Sequence, residues 1–438
     1  MKINIITLGC SKNTVDSENI GGHLREAGHQ VFFDSEKNDC DIVIINTCGF
    51  IGDAKEESIQ EILFQIDNKT FFNRRHKNDN RQRTLIAVGC LVERYREELS
   101  DEIPEVDAWY GVHQWEQLIA DILNSKVLPK LTQHRSISTP KHYAYLKISE
   151  GCNRACAYCA IPHIRGAHIS RPIDELVQEA QNLVAQGVKE IIVIAQDTTY
   201  YGVDLYGKRC LGELLERLAI ESGADWIRLH YTFPTSFPTD AIEAIRKYDN
   251  ICNYIDIPLQ HINSGILKSM QRGIDKAGTL KLLEQFRERI PHVSIRTTLI
   301  VGYPGETRQE FEELKQFVQT ARFDRMGCFA YSVEEGTPAE SLGDPVSAEE
   351  KEQRVGELMA IQSQISLEKN IERIGKVFKV LIDRQEGEYY IGRTEYDSPE
   401  VDDEVLIPAK HRLNIGTFYN VKITDALEND IYGELVLS

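Results

Sequence analysis

The chain has 438 residues, 42% of them hydrophobic and 27% charged, with a net charge of −18 and ten cysteines. That balance excludes wholesale disorder and disfavours a protein that grips nucleic acid through a broad basic face. No apolar run reaches the ~18 residues needed to span a bilayer. Cysteines in such number point to metal or redox use rather than disulfides.

The opening "MKINIITLGC" carries one Lys and a short apolar run, so it reads as a first β-strand and not as a signal peptide. The cytoplasm is the expected location, with no membrane partner. Residues 1–128 then alternate short apolar runs with helical patterns. A strand "INIITLG" precedes a helix from Asp16 to Gly28. The run "DIVIINTC" precedes a helix over 54–66, and "TLIAVGC" follows. This is the pattern of an open parallel α/β domain. Each of the three strands ends at a cysteine, namely Cys10, Cys48 and Cys90. Ligand sites gather at the carboxyl ends of strands in such sheets, so these three can converge. Within this region, "NRRHKNDNRQR" (73–83) holds five basic residues against one Asp. It reads as a solvated loop, with RNA contact as the alternative. Residues 129–141 are polar and Pro-bounded, as expected of a linker.

Residues 142–373 repeat strand and helix six times. The expected helices cover 173–187, 211–222, 238–248, 264–270, 277–290 and 307–320, and a charged helix over 347–373 leads out. This is the pattern of a TIM-like barrel, complete or partial. From 374 to 438 polar and apolar residues alternate between turn signals, which predicts a small antiparallel β-barrel of five strands. Seven basic and thirteen acidic side chains give that last region a net charge of −6.

The densest chemistry lies in "SEGCNRACAYCAIP" (149–162), just after the first strand of the repeats. Cys152, Cys156 and Cys159 are spaced C-x3-C-x2-C with no fourth cysteine nearby. A structural zinc closes its tetrahedron with four protein ligands, and would need a remote Cys or His, with His163 the nearest. A [4Fe–4S] cluster also takes four ligands. Given three, it keeps one iron open for a substrate or cofactor.

This spacing, with Tyr158 before the last cysteine, resembles the radical S-adenosylmethionine (AdoMet) enzymes. The contexts "TLGCSKNTVDSE", "INTCGFI" and "AVGCLVER" around Cys10, Cys48 and Cys90 resemble the methylthiotransferase family. The resemblance spans nearly the whole chain and implies an N-terminal methylthiotransferase domain, a radical-AdoMet barrel and a C-terminal TRAM domain. It also implies two [4Fe–4S] clusters, one on each cysteine set, and two AdoMet molecules per turnover. One AdoMet supplies a methyl group to a sulfur at the first set. The other, bound at the open iron of the second cluster, yields a 5′-deoxyadenosyl radical that abstracts hydrogen from substrate. Cys40, Cys210, Cys252 and Cys328 have no such context and read as structural.

The family divides by substrate. One branch modifies an isopentenylated adenosine in tRNA, the other an aspartate of ribosomal protein uS12. The stretch "LGCSKNTVDSE" and "IAQDTTYYG" (194–202) resemble the ribosomal-protein branch, and an acidic C-terminal domain suits a basic protein better than tRNA. The expected partners are uS12, free or in the small subunit, a flavodoxin- or ferredoxin-like electron donor and a sulfur donor, with the chain a monomer. The alternatives are the tRNA branch, a non-catalytic iron–sulfur carrier and a zinc-binding module. Further AdoMet contacts are expected from Tyr158, from Gln196 and Asp197 at the second barrel strand, from Arg228 and Arg296 toward a carboxylate, and from Gly302 and Gly305 in "GYPGET". His230 and His261 are expected to be packed or hydrogen-bonded rather than ligating.

Overall fold

A computed structural model gives the chain's structure over residues 1–36, 39–79, 81–125 and 135–436. Residues 129–134 of the expected linker lie outside these described residues. The chain forms two compact units. One holds residues 1–139, 150–154 and 159–168; the other holds 140–149, 155–158 and 169–438.

The first unit is built on a five-stranded sheet of order β2-β1-β3-β4-β5, all parallel: β1 (Lys2–Thr7), β2 (Gln30–Phe33), β3 (Ile42–Thr47), β4 (Thr84–Gly89) and β5 (Ala108–Gly111). Central strands buried on both faces need continuous apolar runs, and every residue of β3, "IVIINT", is buried. Successive side chains go to opposite sides. Ile42 and Ile44 meet Ile20 and Leu24 of α1 (Ser11–Glu26) and Leu118 of α4 (Trp115–Leu123). Val43 and Ile45 meet Ile62 of α2 (Gly52–Arg75) and Leu91, Val92 and Leu99 of α3 (Cys90–Glu102).

Two helices are longer than their sequence pattern suggests: α1 begins at Ser11, and α2 runs on to Arg75. Phe72 explains the second extension. It is buried, with the Arg83 and Arg81 guanidiniums 4.5 and 5.2 Å from its ring. The expected basic loop 73–83 is thereby partly consumed. Arg74 and Arg75 finish α2, Arg83 donates to the Cys40 carbonyl at 3.1 Å, and Arg81 pairs with Asp41 at 2.7 Å.

The second unit holds six parallel strands in two three-stranded sheets. One has the order β10-β9-β6 and the other β11-β12-β13. Their spans are β6 (Tyr143–Lys147), β9 (Glu190–Ile194), β10 (Trp226–Leu229), β11 (Tyr254–Asp256), β12 (Ser294–Val301) and β13 (Arg325–Ala330), the labels β7 and β8 going to the two-residue strands Ser149–Glu150 and Ile169–Ser170. A parallel bridge from Ile227 to Ile251 connects the two sheets, and among the described residues no ladder joins β13 to β6. The barrel is therefore partial. The helices α6 (Ile173–Ala185), α8 (Leu211–Glu221), α9 (Thr239–Lys247), α10 (Ser264–Ser269), α11 (Lys276–Arg289) and α12 (Arg308–Ala321) lie within two residues of their expected bounds, and a short α7 (Val203–Tyr206) is added to them. Helix α12 opens on a capping box of Thr307 and Glu310. The exit helix α13 spans Ala348–Ile371.

The C-terminal region closes as a five-stranded barrel, β14-β15-β16-β18-β17: β14 (Val377–Glu386), β15 (Tyr389–Arg393), β16 (Glu404–Pro408), β17 (Phe418–Ala426) and β18 (Asp430–Leu435). One pairing, β16 with β18, is parallel where an antiparallel barrel was expected. This small barrel plugs the amino-terminal ends of all six strands. Tyr143 at the head of β6 donates to Glu400 at 2.9 Å, and Glu190 at the head of β9 pairs with Arg393 at 2.8 Å. Trp226 of β10 meets the Phe418 ring edge-on. Tyr254 of β11 donates to Asp402 at 2.7 Å and Ser294 of β12 to the Tyr396 carbonyl at 3.1 Å. Arg325 of β13 pairs with Asp403 at 2.9 Å and with Asp397.

Candidate functional site

Cys10, Cys48 and Cys90 stand at the carboxyl end of the first unit's sheet. Cys10 caps α1 just after β1, Cys48 follows β3, and Cys90 opens α3 directly after β4. Glycines draw these turns together. Gly9 has φ +90°, and a Cβ there would lie 2.8 Å from Cys48 Sγ. Gly89 has φ +112°, and its Cβ would lie 2.6 Å from both Asn46 Oδ1 and the Thr47 carbonyl. No side chain is tolerated at either contact without a shift in backbone. Asn13, wholly buried, donates to the carbonyls of Leu8 (2.8 Å) and Thr47 (3.1 Å), tying the ends of β1 and β3. Ser58 clasps both backbone groups of Cys48 at 2.9 Å.

Burial pushes the Cys48 thiol up and the Cys90 thiol to about 12, and Arg165 opposes both shifts. Arg165 ends the short helix α5 (Ile161–Arg165) and is itself buried. Its Nη1 donates to Asp16 at 2.9 Å and Glu150 at 3.1 Å; its Nη2 reaches Asn13 Oδ1 at 2.5 Å and Cys90 Sγ at 3.4 Å. Ala160 and Ile164 pack against Cys90 and Val112. Three thiols at one sheet edge with a guanidinium on one sulfur suit an iron–sulfur cluster in their donor chemistry. Among the described residues no three Cys, His, Asp or Glu side chains already stand in metal-binding geometry.

The segment 149–168 carries the other set. Within the first unit, Cys152 N–H donates to the Gly166 carbonyl (3.0 Å) and His168 N–H to Asn153 Oδ1 (3.0 Å). Gly151 has φ +74°, and a Cβ there would press to 2.1 Å of the Ala167 carbonyl. Within the second unit, Ala157 donates to the Met270 carbonyl (3.0 Å) and accepts from Ala339 N–H (2.8 Å). There the buried Arg272 donates to Cys156 Sγ at 3.3 Å and to the Tyr158 hydroxyl at 3.2 Å, stacking on Phe233 at 4.1 Å. Tyr158 packs beside Ile266, Met270 and Tyr303.

The remaining expected AdoMet contacts divide. Gln196 and Asp197 lie just past β9, where Asp197 caps a 3-10 turn by accepting from Thr199 N–H at 2.9 Å. Arg228 is fully buried and committed to Glu190 (2.6 Å) and the Glu395 carbonyl (2.7 Å), which makes it a strut to the C-terminal barrel. Arg296 bridges Asp256 (3.1 Å) and Asp402 (3.3 Å) in the same way. At Gly302 the backbone is approached by the Lys351 stem of α13, 2.4 Å from a would-be Cβ, while Gly305 (φ +94°) is open save for Ile266 at 4.0 Å. His230 bonds Ser398 (2.9 Å) and His261 accepts from Asn263 N–H (2.9 Å). Cys252 is buried among Trp226, Tyr254 and Leu381, its thiol pushed up to about 12 by burial. Arg165, Arg272 and Asn13 were not singled out from sequence; Asn13 sits inside a motif that was, while the arginines lie 75 and 116 residues from the sulfurs they touch.

Three family descriptions match in tandem: "Uncharacterized protein family UPF0004" over residues 2–111, "Radical SAM superfamily" over 146–318 and "TRAM domain" over 374–436. The chain is 54% identical to the "Ribosomal protein uS12 methylthiotransferase RimO" of Bacteroides thetaiotaomicron, over 99% of this chain and 98% of that one. It is 53% identical to the protein of the same name from Flavobacterium johnsoniae, over 99% and 98%. The chain belongs to the RimO family. It is thus a radical AdoMet methylthiotransferase, and membership brings an iron–sulfur cluster and AdoMet as cofactors. Solved structures agree on fold alone. The radical S-adenosylmethionine methyltransferase TsrM of Kitasatospora setae superposes with TM-score 0.55 at 13% identity, over 77% of each chain. The enzyme OxsB superposes with TM-score 0.56 at 10% identity, over 78% of this chain and 54% of that one. No helix among the described residues is long and apolar enough to cross a membrane.

Proposed function

We propose that this enzyme methylthiolates the β-carbon of an aspartate in ribosomal protein uS12, in the cytoplasm. Two [4Fe–4S] clusters serve it, one held by Cys10, Cys48 and Cys90 and one by Cys152, Cys156 and Cys159. The observation that carries the reading is 54% identity, over almost the entire chain, to a protein named as a uS12 methylthiotransferase. When bound, the cofactors supply a 5′-deoxyadenosyl radical from one AdoMet and a methylthio group assembled from a second AdoMet and a donated sulfur atom.

The chain's own residues bind, orient and shield. Each set offers three thiolates to a cluster, which would let AdoMet bind at the second set and exogenous sulfur at the first. Tyr158, fixed by Arg272 and packed by Met270 and Tyr303, offers a flat wall beside Cys156 against which an adenine can lie. Ala160, next in sequence to Cys159, packs on Cys90 inside the first unit. An acidic C-terminal barrel, with thirteen acidic residues against seven basic, suits a basic ribosomal protein.

The test is anaerobic incubation of the reconstituted enzyme with AdoMet, sulfide, a reductant and uS12, with tRNA in a parallel tube. A methylthio mass gain on one aspartate of uS12 is expected. Methylthiolated adenosine in the tRNA with unchanged uS12 would overturn the substrate while leaving the cofactor reading intact.

A further inference from the structure

We propose that Arg165 is a positioning residue for the cluster of Cys10, Cys48 and Cys90, donating a hydrogen bond to the Cys90 sulfur that raises the cluster's reduction potential. The proposal rests on the assignment of those cysteines as cluster ligands.

Hydrogen bonds to ligand sulfurs and burial are among the quantities that set an iron–sulfur potential. A donor there draws electron density from the sulfur and favours the more negative, reduced state, the more so in a poorly screened interior. Arg165 is placed for this. Its planar fork is immobilised on one side, where Nη1 holds Asp16 at 2.9 Å and Glu150 at 3.1 Å. The other arm, Nη2, is thereby aimed at Cys90 Sγ, 3.4 Å away, with Asn13 Oδ1 as its second acceptor at 2.5 Å. Neutralising Asp16 and Glu150 accounts for Nη1, whereas Nη2 divides its two N–H groups between Asn13 Oδ1 and the Cys90 sulfur. Packing fixes the register as well, because Ala160 and Ile164, on and beside the helix that Arg165 ends, lie directly on Cys90. The same short segment follows Cys159 in the chain, so the residue that tunes the first set is anchored to the loop bearing the second.

The experiment uses the full chain with Cys152, Cys156 and Cys159 changed to Ala, so that only the first set can load. Iron content and a potentiometric titration followed by electron paramagnetic resonance are compared for this parent, Arg165→Gln and Arg165→Lys. Arg165→Gln is expected to keep its roughly four irons and to be reduced about tenfold less at a fixed potential, a shift of about 59 mV for one electron. Arg165→Lys retains charge without the fork, and a smaller drop is expected. A Gln variant that holds its iron at the parent's potential would overturn the proposal. Should the Gln variant fail to take up iron, the Lys variant decides, and an unmoved potential there overturns it equally. Loss of iron in both variants overturns it too, because Arg165 would then only support the fold. If the parent itself binds no iron, the ligand assignment fails and takes this proposal with it; iron at an unmoved potential sinks the arginine alone.

Discussion

The two cysteine sets are presented by opposite means. Cys10, Cys48 and Cys90 come from three separate turns, and the sheet brings them together: their placement depends on strand register, on glycines at +90° and +112°, and on Asn13 tying neighbouring strands. Cys152, Cys156 and Cys159 come from one short segment whose ends belong to the first unit and whose middle, 155–158, belongs to the second. A set built by a sheet inherits the sheet's rigidity, and any backbone change at the strand ends disturbs it. A set built by a loop depends on what grips each part of that loop. Both are given a buried arginine on one sulfur.

The sharpest way to test this division is to remove one thiol at a time. Cys152→Ala should abolish 5′-deoxyadenosine formation and product together, whereas Cys90→Ala should abolish methylthiolation while 5′-deoxyadenosine still forms. Chromatography of the two products separates the cases, and each variant should keep about four of eight irons. Next in size is the plug beneath the second unit. Arg228→Met leaves Glu190 with Arg393 as its remaining guanidinium in a dry site and should cost about 3 kcal/mol, the low end for breaking a buried ion pair, read by urea unfolding. Iron at the first set should survive it; its loss would break the distinction between the two supports. Gly89→Ala should cost about 1–3 kcal/mol in backbone strain and empty the first set while sparing the second, as iron counts and 5′-deoxyadenosine will tell.

The smallest effect is a pH dependence carried by buried carboxyls of the second unit. Burial works to raise Glu190 and Asp383, but Arg228 and Arg393 outweigh it, and both carboxyls end below their ordinary values of 4.5 and 3.8. Their stabilisation is therefore complete above about pH 4.5 and is lost as the pH falls through the depressed values. Asp403 has the opposite sign. Burial and the nearby Asp397 raise it to about 6 against the pull of Arg325, so its share of stability declines as the pH rises through 6. The melting temperature should peak between these limits, and Glu190→Gln should soften its acid side.

Much of this was legible in the residues themselves. Strand and helix order followed from apolar periodicity, and so did the placement of Cys10, Cys48 and Cys90 at the carboxyl end of one sheet. The unread part was tertiary. An arginine on a strand looks the same whether it awaits a carboxylate ligand or holds Glu190, and only the C-terminal barrel's position decides that for Arg228. Arg165 and Arg272 belong to no periodic pattern, because their sulfur partners lie 75 and 116 residues away. The length of α2 was hidden because Phe72 finds its cover in Arg81 and Arg83, beyond the helix's own end.

The stoppered floor of the six-stranded layer has a consequence for reach. The C-terminal barrel grips the heads of the strands, from Tyr143 to Arg325, whereas Cys156 and Tyr158 follow the tail of β6. Five residues of strand separate head from tail, about 17 Å. A protein held on the acidic barrel must therefore extend a finger at least that long to present its reacting residue. A projecting loop or chain terminus spans that distance.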